Sequence, residues 1–209
     1  MSREVHVRFC ESPRVKFPRA THLVVGFEHR AEAEQFQSEL AERLKKFNLE
    51  LQAEKTRLIE FGRFAASNRH RRGEGQPETF NFLGFTHYCS TTRKGWYKVK
   101  RQTMRKRVGA KLKAIKEELR LRMHHSVPEQ GRWLAAILRG HYQYYGVPFN
   151  SQAIWSFYYR IQRLWQRTLN RRSQKGCVKW ERIERLSRKW LPIPHICHPY
   201  PSLQLLGIT

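Results

Sequence analysis

The stretch FPRATHLVVGFEH, Phe17 to His29, decides how the fold is read. Leu23 to Phe27 is a short apolar run that follows the polar pair Thr21 and His22, the pattern of a buried strand leaving a tight turn. Directly after it, Ala33, Phe36, Leu40, Leu44 and Phe47 step by 3, 4, 4 and 3, which places them on one face of a helix spanning about Ala31 to Phe47. Working outward, VHVRF (Val5 to Phe9) alternates like a strand on one side, and TRLIEF (Thr56 to Phe61) reads as a strand on the other. This order predicts a small α+β unit with its helix packed on a sheet.

Beyond it, ASNRHRRGEGQPE (Ala66 to Glu78) combines Gly, Pro and charge and reads as a loop. TFNFLGFTHY (Thr79 to Tyr88) and GWYKVK (Gly95 to Lys100) read as two strands of a hairpin joined by a polar turn. From Arg101 the period becomes helical: Met104, Val108, Leu112, Ile115, Leu119 and Met123 step by 4, 4, 3, 4 and 4. Three more helices are predicted. One starts near Ser126 with Pro128 in its first turn, one is capped by Asn150 or Ser151, and a short one spans about Trp180 to Trp190. The prolines of LPIPHICHPYP then end regular structure.

Charge divides the 209 residues unevenly. Residues 1–60 hold 11 Lys/Arg against 10 Glu, whereas residues 61–209 hold 30 against 7, and the whole chain is +24 with a pI near 10.6. An excess spread over so long a stretch and interleaved with Trp and Tyr predicts contact with phosphates and bases, so nucleic acid is the expected partner. A metal-dependent phosphoryl chemistry is disfavoured, because all 17 acidic residues are Glu and the aspartates that usually hold paired divalent ions are absent.

The four cysteines, Cys10, Cys89, Cys177 and Cys197, form no CxxC pair, so neither a zinc knuckle nor a disulfide framework is expected. HICH (His195 to His198) lacks a second ligand pair at zinc spacing and reads as part of a packed, Pro-rich terminal segment. No metal site is expected. No stretch approaches the roughly 18 apolar residues of a membrane span and the start has no signal-peptide core, so a cytoplasmic protein is expected.

LVVGF, KFNLELQAEKTRLIEFGRF (Lys46 to Phe64), FNFLGF (Phe80 to Phe85), LRGHYQYYGVPFNS (Leu138 to Ser151), RLWQRTLNRRSQKG (Arg163 to Gly176) and WLPIPHICHPYP form an ordered series. In that order and spacing the chain resembles the group II intron reverse transcriptase/maturase family from about Arg19 onward. The resemblance implies a truncated palm-like α/β remnant followed by a mostly α-helical thumb and maturase bundle. Its divisions would be 1–90 for the palm remnant, 91–125 for a β-hairpin and basic thumb-like helix, and 126–209 for the maturase-specific domain. An edge of the palm-like sheet would stay open where further strands pair.

Two departures bear on chemistry. The family carries Tyr-Ala-Asp-Asp ahead of the LVVGF strand, and its aspartates hold catalytic Mg²⁺; here Arg19, Ala20, Thr21 and His22 stand there. Neither Thr nor His replaces a carboxylate in the octahedral, hard-oxygen shell Mg²⁺ requires. Only about 18 residues precede this point, so the fingers and first half of the palm are expected to be missing. Lys55 matches the family's lysine beside the incoming nucleotide, a general acid in principle, but without metal or nucleotide it reads as structural.

The reading leans away from an enzyme and toward RNA binding that assists intron folding and splicing. Phosphate contacts are assigned to Arg101, Arg105, Lys106, Arg107, Lys111, Lys113 and Lys116, extended by Arg171, Arg172 and Lys175. Tyr142, Tyr144, Tyr145 and Trp165 are the candidates for base stacking, although aromatics at helical spacing more often belong to a core. The expected partner is structured group II intron RNA. Two other readings stay open: one half of a split RNA-directed DNA polymerase completed by a separate fingers/palm polypeptide, and a non-functional mobile-element remnant.

Overall fold

Antiparallel pairing assembles the first sheet around β1 (Val5–Cys10), with β2 (His22–Phe27) on one side and β3 (Arg57–Glu60) on the other. The computed structural model describes residues 5–10, 22–52, 56–172 and 177–200, with 5–10 and 22 described by backbone alone. The register pairs Val5 with both Phe27 and Glu60, so both neighbours run antiparallel to β1. Helix α1 (Arg30–Lys45) lies against this sheet: Ala33 is fully buried, and Phe36 and Leu40 pack with it against Val25, Phe27 and Leu58. Ala33, Phe36 and Leu40 of the stripe read from the sequence are therefore the buried face, whereas Phe47, expected on the same face, lies beyond the end of α1 and is 69% exposed. Among the described residues, β2 and β3 are the outer strands.

The segment after β3 corrects the expected loop. Ala65–Arg71 forms a short helix, α2, and its C-terminal side is tied down by charge: Arg72 pairs with Glu60 at 2.5 Å and Glu74 at 2.6 Å, and Arg69 with Glu74 at 3.3 Å. Arg57 adds a pair to Glu78. A second departure follows, for the single strand expected over Thr79 to Tyr88 is two strands, β4 (Phe80–Phe82) and β5 (Phe85–Thr91), folded on each other with Phe82 opposite Phe85. A two-residue turn of this kind needs positive φ at both central positions, and Leu83 (φ 45°) and Gly84 (φ 80°) supply it. Strand β6 (Tyr97–Thr103) is hydrogen-bonded beside β5. Arg101, expected on a helix face, belongs to this strand.

The chain divides into two compact units, Met1–Lys100 and Arg101–Thr209. The divisions expected at 90 and 125 therefore both fall inside units. In the second unit, α3 (Arg105–Leu121), α4 (Val127–Tyr145), α5 (Ser151–Asn170) and α6 (Trp180–Trp190) share one core. Ile115 and Leu119 of α3 join Leu134 and Leu138 of α4, Phe157, Ile161 and Trp165 of α5, and Ile183 of α6. Each such side chain contributes about 1.5–3 kcal/mol by leaving water, so α3 is an integral wall of the bundle.

The entries and exits of these helices follow local chemistry. The Ser126 hydroxyl accepts from the Glu129 N–H while the Glu129 carboxylate accepts from the Ser126 N–H, a reciprocal cap that fixes the start of α4. Asn150 precedes α5, but its side chain is used elsewhere: the amide oxygen accepts from the Thr103 N–H at 3.0 Å, and the amide nitrogen donates to the Thr103 hydroxyl and the Tyr145 carbonyl. After α6 the Pro-rich tail returns along α4. The Cys197 N–H donates to the Gly146 carbonyl at 2.7 Å, and His198 Nε2 sits 2.6 Å from the Gln143 carbonyl oxygen.

Candidate nucleic-acid interface

Helix α3 supplies the cations. Counting about 100° per residue, Arg105, Lys113 and Lys116 fall on one side of it and all three are exposed. Lys106 and Arg107 are also exposed and lead round toward α4. The carboxylates of α3 are Glu117 and Glu118, and Glu118 is held by Arg122 at 2.7 Å. The outward surface is therefore strongly positive.

Where α3 meets α4, Lys106, Arg107 and Lys111 face Tyr144 and Tyr145 across an open cleft of about 800 Å³, floored by Ala110 and Gly140. Among the described residues, no carboxylate lines it. Tyr144 is 51% exposed and its ring meets Tyr145 edge-on at 4.8 Å. Burial pushes the Tyr145 hydroxyl up in pKa, with Arg107 opposing that shift through its charge. Lys111 is set deeper. Its ammonium lies 5.8 Å from the centroid of the Phe157 ring, and desolvation lowers its pKa. Cations at the rim and tyrosine rings within reach of them provide the two contacts a nucleotide asks for, one to phosphate and one to a base face.

The other expected contacts divide. Tyr142 and Trp165 are fully buried, so the expectation that they stack on bases is corrected. The Tyr142 hydroxyl donates to the Pro192 carbonyl, and the Trp165 indole donates to Gln130 at 3.0 Å. Both are core groups that satisfy their polar atoms internally. Arg171 is exposed at the end of α5, whereas Arg172 is half-buried and donates to the His125 carbonyl, tying α5 to the α3–α4 turn. Lys175, Lys55 and Arg19–Thr21 lie outside the described residues, and His22 is the first residue of β2. With no carboxylate at 19–22, these positions do not suit a Mg²⁺ site. Among the described residues no group of three or more His, Cys, Asp or Glu is placed to hold a metal ion, and no helix is long and apolar enough to cross a membrane.

Sequence reasoning missed two large exposed aromatics, Trp155 (50% exposed) and Tyr159 (49%) on α5. A signal for them was present: both fall off the stripe of Ile154, Phe157, Ile161 and Trp165 that faces the core. The chain matches no protein-family model, no curated protein and no solved structure.

Proposed function

We propose that this chain is an RNA-binding protein of the group II intron maturase type, whose helical unit grips structured intron RNA and assists its folding and splicing without polymerase chemistry. The observation that carries the reading is the α3–α4 cleft, where three cations and two tyrosines converge with no carboxylate among them. The +24 charge supplies the long-range attraction. In the first unit, a helix laid on one face of an antiparallel sheet is compatible with a palm-like frame. The ordered sequence motifs support the same family. Binding requires no metal ligands, which agrees with Thr21 and His22 standing where carboxylates would be needed.

The test is affinity of the purified chain for a structured group II intron RNA between about 50 and 300 mM salt, beside a splicing assay on the same RNA. The combined substitution Arg105→Gln, Lys106→Gln, Arg107→Gln and Lys113→Gln removes four exposed cations. At about 0.7–0.9 log–log slope units per phosphate contact, the slope should become shallower by roughly three units. A slope near zero in the unaltered chain, or one unchanged by the substitutions, rules out the phosphate track.

A further inference from the structure

The exposed face of α5 carries a ridge that the α3–α4 cleft does not use. Trp155, Tyr159 and Arg163 follow one another at intervals of four residues, and Trp180, at the start of α6, completes the ridge. The Tyr159 and Trp180 rings lie 5.4 Å apart, and the Arg163 guanidinium sits over both, 5.6 Å from one centroid and 5.7 Å from the other. Trp155 is braced edge-on by Tyr158 at 5.9 Å. Trp155 and Tyr159 are held in place yet half open to solvent, an arrangement that core packing alone does not call for, whereas Trp180 packs against the core and backs them.

Charge separates the two kinds of partner that exposed aromatics can serve. The 20 residues of α5 include no carboxylate, and Arg160, Arg163 and Arg167 are all exposed along it. Of the two carboxylates of α6, Glu184 is engaged by the Trp180 indole at 2.8 Å, and exposed Glu181 follows Trp180 in the first turn, outnumbered by the arginines of α5. A protein partner burying this ridge would have to desolvate several unpaired arginines, which is costly, whereas a polyanion gains from each. Spacing narrows the choice further. Four helical residues rise about 6 Å, nearly twice the roughly 3.4 Å between stacked nucleotides. Successive rings therefore cannot serve neighbouring bases of a continuous stack, and the interior of a duplex offers no base faces to them.

We propose that the Trp155–Tyr159–Arg163 ridge is a second RNA contact that takes splayed bases of an unpaired segment, with the α5 arginines on the flanking phosphates. This rests on the RNA-binding reading above and adds a site and a strand preference to it.

The experiment uses the full chain with two fluorescein-labelled probes, a 12-nucleotide oligouridine and a blunt RNA duplex. The Trp155→Ala/Tyr159→Ala variant should bind oligouridine about tenfold or more weakly, since stacking on an aromatic is a substantial part of single-strand affinity. It should bind the duplex as before and keep its salt slope, because no charge is removed. Trp155→Phe/Tyr159→Phe should stay within about threefold of the unaltered chain, which separates loss of the ring from loss of the fold. Unchanged oligouridine affinity in the alanine variant, or an equal loss for both probes, overturns the proposal. So does altered sedimentation of the RNA-free chain with RNA binding intact, which would make the ridge a protein contact. Failure of the α3 substitutions to weaken binding, with the ridge variant still selective, would instead overturn the reading of the α3 track.

Discussion

His141 gives the sharpest handle on the helical unit. It is 1% exposed within α4, its ring lies over Phe157 at 3.8 Å and beside Tyr145 at 4.6 Å, and both ring nitrogens are buried without a hydrogen-bond partner among the described residues. Burial, reinforced by the nearby positive charge of Lys111, pushes its pKa down to about 3 from an ordinary value of 6.5. The folded state then refuses a proton that the unfolded chain accepts. Stability is undiminished above pH 6.5 and falls as the pH drops from 6.5 toward about 3. Each pH unit within that window is worth about 1.4 kcal/mol, so lowering the pH from 7.5 to 5.0 should cost about 2 kcal/mol through this residue alone.

His141→Leu keeps a similar volume and removes both unpartnered nitrogens. At pH 7.5 it should be neutral or stabilising by about 1 kcal/mol, because an unsatisfied buried polar group costs about 1–3 kcal/mol and the lost ring stack offsets part of that. At pH 5.0 the variant should exceed the unaltered chain by about 2 kcal/mol more than at pH 7.5. The assay is urea unfolding followed by far-ultraviolet ellipticity at both pH values. Comparing the two proteins cancels the contribution of the other nine of the 10 histidines. Equal acid losses in both would refute the argument that His141 is buried neutral.

Two further perturbations test the packing. A Cβ at Gly131 would lie 2.7 Å from Cγ and 2.8 Å from Cβ of Trp190, whereas one at Gly109 meets nothing within 4 Å. Gly109→Ala should therefore raise stability by about 1 kcal/mol through helix propensity. Gly131→Ala should lower it by about 1–2 kcal/mol, because overpacking exceeds the same gain; urea midpoints should move in opposite directions. Asn150→Ala leaves the buried Thr103 N–H without its acceptor. It should destabilise the unit by about 2–3 kcal/mol, with faster amide exchange at Thr103 than in the unaltered chain.

Much of the architecture is legible in the residues. The steps of three and four that mark α1 and α3 find those helices, though both stripes run past the helix ends to Phe47 and Met123, and the end signals place the Ser126 start of α4 and the Trp180 and Trp190 ends of α6. Local rules suffice there, since each helix must bury one continuous stripe and its caps are chosen by neighbours in sequence. α2 was not legible, because no apolar period announces it and the arginines within and just after it find Glu60, Glu74 and Glu78 only once the chain has folded. The break at Leu83 was hidden for a related reason, as nothing in a leucine signals positive φ.

The candidate site divides along the same line. Composition and order alone determined that the chain is a strongly basic α+β protein with its excess charge in the second part and no aspartate for metal chemistry. Only the tertiary structure decided which aromatics meet solvent. Tyr142 and Tyr145 belong to the same turn of α4, yet one seals the core and the other borders the cation-lined cleft. Trp165 and Trp155 divide in the same way along α5. A helix repeats every 3.6 residues whatever surrounds it, so periodicity places rings around its axis. Which side becomes interior is decided by the helices that pack against it.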